Sequence, residues 1–241
     1  MIHVNRDFHR WYSGNLGRDM EMLVFGYSGA RVLVFPTSKG RYYEWEDQGM
    51  IHSMADPIER GYLQVFCVDS VDEESWYANW KWPGDRAWRH VEYDNYIVRE
   101  VIPLTQRNYN PFMIVTGASF GAYQAMNFSL RHPDLVGRVL AMNGLYDIRD
   151  WTDGHYDDNV YFNNPVDFVK NENDPARLAQ IKGMDIILTT SETEPLRGAT
   201  EYFSQVLWKK GIWHSLRIWN GWAHDWPYWK QMVSMYLSGR D

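Results

Sequence analysis

The stretch Met113–Pro133, MIVTGASFGAYQAMNFSLRHP, decides the reading of the chain. FMIVT (residues 112–116) is apolar and β-branched enough for a buried strand, and in the AYQAMNFSLRHP that follows, Tyr123, Met126, Phe128 and Leu130 recur near helical spacing. At the junction Ser119 stands between Gly117 and Gly121. The G-x-S-x-G pattern alone is weak, because Gly and Ser each make up roughly 7% of ordinary sequence and the pattern arises by chance in about one chain in ten of this length. Its setting carries the weight: strand, tight turn and helix are the surroundings of a serine nucleophile presented at a sharp elbow. The serine backbone is strained at such a turn, and flanking glycines have no side chain to collide as strand and helix crowd together.

Composition bounds what such a serine can belong to. With 241 residues, 45% of them hydrophobic, the chain fits one large α/β domain, 1–241, and nothing marks a linker. A net charge of -7 without a basic run argues against a nucleic-acid partner. The start, MIHVNRDFHRWYSGN, lacks the apolar core of a secretory signal, and no stretch nears the ~20 apolar residues of a membrane span. The single cysteine, Cys67, cannot form an internal disulfide, and its place in YLQVFCVDS reads as a small core residue. A cytoplasmic protein with no membrane partner is the expectation, with self-association left open.

Outward from the serine, the chain alternates strand and helix. MEMLVFGYS and ARVLVFPTS read as neighbouring strands separated by a turn at Gly29, followed by a helix-like YYEWEDQGMIHSMADPIERG and the strand LQVFCVDS. DRAWRHVEYDNYIVREVIPLTQR has helical spacing and leads into the Ser119 strand. RVLAMNGLY, MDIILTT and HSLRIWNG complete a count of about eight strands, with the helix ATEYFSQVLWKKG between the last two. The alternation predicts a mostly parallel sheet covered by helices on both faces, with its chemistry in loops at the carboxyl ends of the strands.

A serine at its free pKa is a poor nucleophile, so the reading demands a base and an acid that orients it, in the chain order Ser, acid, His. After Ser119 come His132, His155, His214 and His224. His132 falls at the far end of the helix leaving the serine, and His214 precedes the last strand. His224, in NGWAHDWPYW after that strand, returns to the serine's edge and is the candidate base. The acid is sought in SETEPLRG after MDIILTT: Glu194 first, Glu192 next, with Asp147 in GLYDIRD a contender and Asp225 poorly placed. Two backbone N–H groups must face the developing negative charge. Phe120 supplies one, and Thr37 or Ser38 of PTSKGR the other, because Pro36 has no N–H; Gly40 is expected to let that turn bend.

GASFGAYQAMNFSLRHPDLVGRVLAMNGLYD, NNPVDFVKNENDPARLAQIK and WHSLRIWNGWAHDWPYWKQM, in this order, resemble the putative esterase group of the α/β-hydrolases, which includes feruloyl-type esterases and S-formylglutathione hydrolases. The resemblance spans most of the chain and implies an α/β-hydrolase fold with a minimal lid, in which Ser119, His224 and Glu194 form a triad and the Phe120 and Ser38 N–H groups an oxyanion hole. Two positions depart from the pattern: Ala122 stands where a second glycine often follows the elbow, and Glu194, preceded by Ser191, stands where an aspartate preceded by glycine is usual.

No H-E-x-x-H, paired cysteines or His pair at ligand spacing occurs, nor G-x-G-x-x-G after the first strand or G-K-[ST], so no metal or organic cofactor is expected. Trp45, Trp76, Tyr77, Trp151, Tyr156, Trp222 and Trp226 fall in loops expected around the site, as packing residues or as walls for an aromatic acyl group or a sugar. WTDGHYDDNVYFNN, where larger relatives carry a lid, is short and predicts an open pocket. The expected activity is a serine carboxylesterase acting on small, aromatic or sugar esters. The alternatives are an acyltransferase using the same residues and a carbohydrate-binding member without catalysis.

Overall fold

The structure, a computed structural model, describes residues 4–237. Eight strands, β1 (Arg6–Ser13), β2 (Arg18–Phe25), β3 (Ala30–Phe35), β4 (Leu63–Val68), β5 (Met113–Ala118), β6 (Arg138–Met142), β7 (Asp185–Ser191) and β8 (Ser215–Trp219), form one sheet in the order β1-β2-β4-β3-β5-β6-β7-β8. β1 and β2 run antiparallel to their neighbours, and the six strands from β4 to β8 are parallel. The helices are α1 (Glu44–Asp47), α2 (Met50–Ser53), α3 (Ala55–Glu59), α4 (Pro83–Tyr96), α5 (Ile102–Thr105), α6 (Phe120–Arg131), α7 (Asp158–Tyr161), α8 (Pro165–Asn171), α9 (Pro175–Gly183), α10 (Arg197–Lys209) and α11 (Trp226–Tyr236).

The inner strands read as continuous apolar runs because both faces of the sheet are covered. Leu33, Phe35, Val115, Val139, Ala141, Ile186 and Leu188 face one core with residues of α4, α6, α8 and α10. Their alternates Val32, Val34, Ile114, Leu140, Met142 and Ile187 face a second core with residues of α2, α3 and α11. Cys67 is buried in that second core, where desolvation raises its thiol pKa and keeps it protonated. Among the described residues no helix is long and apolar enough to cross a membrane.

Five features depart from the sequence reading. β2 and β3 are not neighbours: the four residues between them cross beneath the start of β4, which pairs with both. Gly29 (φ 97°) makes the crossing feasible, since a Cβ there would lie 2.2 Å from the Tyr62 carbonyl carbon. The edge strand β1 escapes notice because most of its residues are exposed and polar or charged ones interrupt any apolar run, with Arg10 bonded to Asp19 across the hairpin. The helix-like stretch after β3 is three short helices, interrupted at Gly49 (φ 74°). The long helix after β4 starts at Pro83 and widens into a π turn at Ile97–Val101, just before Pro103, whose missing N–H cannot continue the ladder. The short segment WTDGHYDDNVYFNN, from which an open pocket is expected, holds α7 and packs down on α6, where Tyr123 Oη donates to the Asn163 carbonyl at 2.8 Å.

α6 enters the sheet so closely that no side chain fits at its start. A Cβ on Gly121 would lie 2.4 Å from the Pro36 carbonyl oxygen and 2.6 Å from that of Phe35, and a Cβ on Gly117 would lie 2.3 Å from the Gly121 oxygen. Gly121→Ala is therefore expected to lower stability by about 1–3 kcal/mol, since the obstacle is backbone and cannot rotate away. Gly198→Ala, in α10 with nothing within 4 Å of the added methyl, should raise it by up to ~1 kcal/mol. Urea midpoints of the two variants check the contrast; equal shifts would contradict it.

Candidate active site

Parallel strands bring their carboxyl ends to one edge, and there the loops after β3, β4, β5, β6, β7 and β8 meet. Ser119 follows β5 with φ 55° and ψ -119°, a conformation that costs a residue with a side chain on the order of 1–3 kcal/mol. It is held by the Ser119 N–H donating to the Met142 carbonyl at 2.8 Å and by Ala122 N–H donating to the Ser119 carbonyl at 3.1 Å. Ala122, without a Cβ conflict of its own, is buried in the core under the turn, so the second glycine is not needed there.

His224 follows β8 and Glu194 follows β7. The imidazole Nδ1 lies 2.8 Å from Glu194 Oε2, and the Glu194 side chain is fully buried. The other carboxylate oxygen accepts from Asn143 Nδ2 at 2.7 Å, from the Ser191 N–H at 2.8 Å and from Thr190 Oγ1. Burial alone would raise the pKa of Glu194, but the bonds from His224, Thr190, Asn143 and Ser191 outweigh it and hold the carboxyl below the usual range. With Nδ1 donating to this carboxylate, the imidazole keeps Nε2 as its basic nitrogen.

The rival acids have other partners. Asp147 takes a bidentate contact from Arg149 and a bond from Asn164. Glu192 is exposed and accepts from the Gly221 N–H at 2.8 Å, bracing the backbone of the His224 loop rather than its ring. Asp225 caps α11 through the Trp226 N–H. The other histidines after Ser119 are also engaged elsewhere: His132 with Asp94, His155 with Asp157, and His214 with Ser204 and the Ile212 carbonyl.

Sequence reasoning missed the residues that hold Glu194. Asn143 (φ 52°) sits at the end of β6, donates to Glu194 and accepts from Trp229 Nε1 at 2.9 Å, so it ties β6, the acid loop and α11 together. Its left-handed backbone is tolerated by Asn better than by most residues, and N-G at 143–144 was the available signal. Ser191, at the position where glycine was expected, accepts from the Ala223 N–H at 3.1 Å and so anchors the His224 loop.

In the loop after β3, Thr37 N–H donates to Glu44 at 2.9 Å, Lys39 N–H to Asp72 at 2.9 Å, and Gly40 N–H to the Thr37 carbonyl at 2.8 Å. Of the two donors considered, Thr37 is therefore occupied, while Ser38 N–H and the Phe120 N–H at the start of α6 take no partner among the described residues. The bend falls on Lys39 (φ 57°) rather than on Gly40, whose missing side chain instead leaves room for the Glu44 carboxylate, since a Cβ there would lie 2.7 Å from Glu44 Oε1. Burial raises the Glu44 pKa and pushes Asp72 up to about 7, against the lowering effect of the bonds each accepts.

Of the aromatic residues expected around the site, Trp45 and Trp76 are instead core residues, 1% and 0% exposed. Each lies close in sequence to the site loops but points inward, Trp45 among the residues of α2 and β3 and Trp76 beneath Phe120. Tyr156 is exposed and bonded to Asp167, and Trp226 packs on Trp229. Those that flank the chemistry are Tyr77, whose ring is 5.0 Å from Phe120 and whose Oη donates to Ser38 Oγ at 2.9 Å, Trp151 at 5.7 Å from Phe120, and Trp222 at 5.9 Å from His224. A cavity of about 500 Å³ lies instead by Arg131 and His132 at the opposite end of α6, and its arginines are engaged by Asp94, Asn163 and Glu172.

The Thr190 bond to Glu194 has a checkable signature. Replacing Thr190 by Val keeps the shape and removes one donor to a buried charge, a loss of about 1.5–3 kcal/mol at pH 7. A carboxyl whose folded pKa is depressed stabilises the fold above its unfolded value, ~4.3, and that stabilisation is lost as pH falls through the folded value. The gap between wild type and Thr190→Val should therefore shrink as denaturation is repeated from pH 7 down toward ~3; a gap independent of pH would contradict the assignment.

A family model described as "Putative esterase" matches residues 37–238. Among solved structures, a ferulic acid esterase superposes with a TM-score of 0.78 at 18% identity, covering 97% of this chain and 96% of that one. An S-formylglutathione hydrolase from Agrobacterium tumefaciens gives 0.76 at 14% identity, covering 100% and 95%. A fluorophosphonate-binding serine hydrolase of Staphylococcus aureus gives 0.69 at 13% identity, covering 98% and 97%. No curated protein matches the chain. The folds of these structures are α/β-hydrolase folds like the one described above, and with the family model spanning all six parallel-edge loops, the chain belongs to the "Putative esterase" family and is a carboxylic ester hydrolase.

Proposed function

We propose that the protein is a serine carboxylesterase in which Ser119 is the nucleophile, His224 the general base and acid, and Glu194 the residue that orients His224. The observation that carries the reading is the 2.8 Å bond between His224 and a fully buried, multiply bonded Glu194, at the sheet edge where Ser119 sits in its strained turn. Ser119 Oγ attacks the ester carbonyl as His224 Nε2 takes its proton; the N–H groups of Phe120 and Ser38 bind the oxyanion; the proton then passes to the departing alcohol. Water repeats the sequence on the acyl-enzyme and releases the acid. Glu194 stays ionised and stabilises the imidazolium that forms.

Tyr77 and Trp151 beside Phe120, and Trp222 beside His224, support esters with an aromatic acyl or leaving group. The neighbour described as a ferulic acid esterase has an aromatic acid in its name and supports the same direction.

Ser119→Ala and His224→Ala should each abolish nearly all turnover, with the double variant little worse than either, because residues acting as one unit are strongly non-additive. Losses that multiply would contradict a shared role. Trp151→Ala should lower kcat/KM for bulky aryl esters by ~10- to 100-fold more than for acetate esters, the equivalent of about 1–3 kcal/mol of lost contact. Equal losses on both ester classes would remove the aromatic-pocket element of the proposal.

A further inference from the structure

Two carboxylates, the half-buried Glu44 and the buried Asp72, hold the backbone on either side of Ser38. Glu44 accepts both the Thr37 N–H at 2.9 Å and the Thr37 hydroxyl at 2.6 Å, and Asp72 Oδ2 accepts the Lys39 N–H at 2.9 Å. Asp72 does more than staple a loop, because its second oxygen accepts from Gln124 Nε2 at 2.5 Å, and Gln124 lies in α6, the helix that starts at Phe120. One carboxylate therefore spans the two segments that carry the unpartnered N–H groups of Ser38 and Phe120. Neither Asp72 nor Gln124 reaches the solvent face of the site: they are both 1% exposed.

We propose that Asp72 is a positioning residue of the oxyanion site, fixing the Ser38 N–H relative to the Phe120 N–H by tying the Lys39 amide to Gln124. The assignment rests on the esterase reading above. A donor displaced from the developing oxyanion costs transition-state stabilisation while leaving ground-state binding nearly untouched, so the effect falls on kcat. The bond geometry rather than the negative charge is what counts. Asparagine at position 72 can still accept from Lys39 N–H through its amide oxygen, and Gln124 Oε1, which has no partner, can accept from the new amide nitrogen if the Gln124 amide turns over.

The test compares Asp72→Ala, Asp72→Asn and Gln124→Leu with the wild type, using a soluble aryl ester. Three readouts are taken: kcat and KM, inhibition by an aryl boronic acid, which forms a tetrahedral adduct on the nucleophile, against inhibition by the matching carboxylate product, and the urea midpoint. Asp72→Ala is expected to lower kcat by ~10²-fold, the scale of losing one oxyanion donor, and to weaken the boronate by a similar factor, with KM and carboxylate inhibition within about threefold. Asp72→Asn should recover most of that loss, to within about tenfold of wild type, and Gln124→Leu should fall between the two. The assignment is overturned if Asp72→Ala keeps wild-type kcat, if boronate and carboxylate weaken equally, if Asp72→Asn is as poor as Asp72→Ala, or if activity follows only the folded fraction. Should Asp72→Ala fail to fold, Gln124→Leu decides on the same criteria. A wild type without ester turnover overturns the esterase reading and this assignment together, whereas an active wild type with an unimpaired Asp72→Ala overturns this assignment alone.

Discussion

Everything at the site depends on how closely α6 approaches the end of β3. The Gly121 backbone packs against the carbonyls of Phe35 and Pro36 with no room for a methyl group, and Gly117 packs against Gly121 in the same way. The helix can start there only if the chain turns sharply at Ser119, which accounts for φ 55° on a residue that would otherwise avoid it. The same contact fixes the Thr37–Gly40 loop, because that loop begins at Pro36, the residue against which Gly121 rests. A single packing constraint thus sets both the strained turn at Ser119 and the spacing between the two segments with unpartnered N–H groups. The hydrogen bond from Ser119 N–H to Met142 and the core residues of α6 hold it in place.

The second requirement is electrostatic. A carboxylate withdrawn from water is costly unless bonded, and Glu194, Asp72 and the half-buried Glu44 are bonded in different ways. Glu194 accepts four donors and stays below the ordinary carboxylate range, as suits a group that must remain charged beside an imidazole. Asp72 and Glu44 receive fewer charge-stabilising bonds, and burial raises them instead. Each takes one backbone amide and one neutral side-chain donor, a use in which the acceptor matters more than the charge. The contrast follows from the neighbours each side chain meets, since all three sit in connections at the same edge of the sheet, Glu44 at the start of α1.

What could be read from the sequence was local or ordered along the chain. The Ser119 turn announces itself through five adjacent residues, and His224 through its place after the last strand. Nothing local distinguishes two glutamates two residues apart: Glu194 turns inward to donors from β6 and β7, Glu192 outward to Gly221. Asn143 could not be ranked because its partners, Glu194 and Trp229, lie 51 and 86 residues away. The placement of β2 failed for a related reason, since a four-residue connection looks like a hairpin until β4, more than 30 residues on, takes the place between the strands. Trp45 and Trp76 were misassigned because composition places an aromatic residue in a loop but does not say which way it faces.

The central claim is that Ser119 is the nucleophile of an ester hydrolase. Incubating the folded protein with a fluorophosphonate, which phosphonylates only a serine activated by its surroundings, and mapping the adduct by peptide mass spectrometry tests it most directly. The account predicts one adduct per chain, on Ser119 within the 113–133 segment, absent from protein unfolded in urea and strongly slowed by His224→Ala. A folded protein that takes no label, or takes it on another residue, would contradict it.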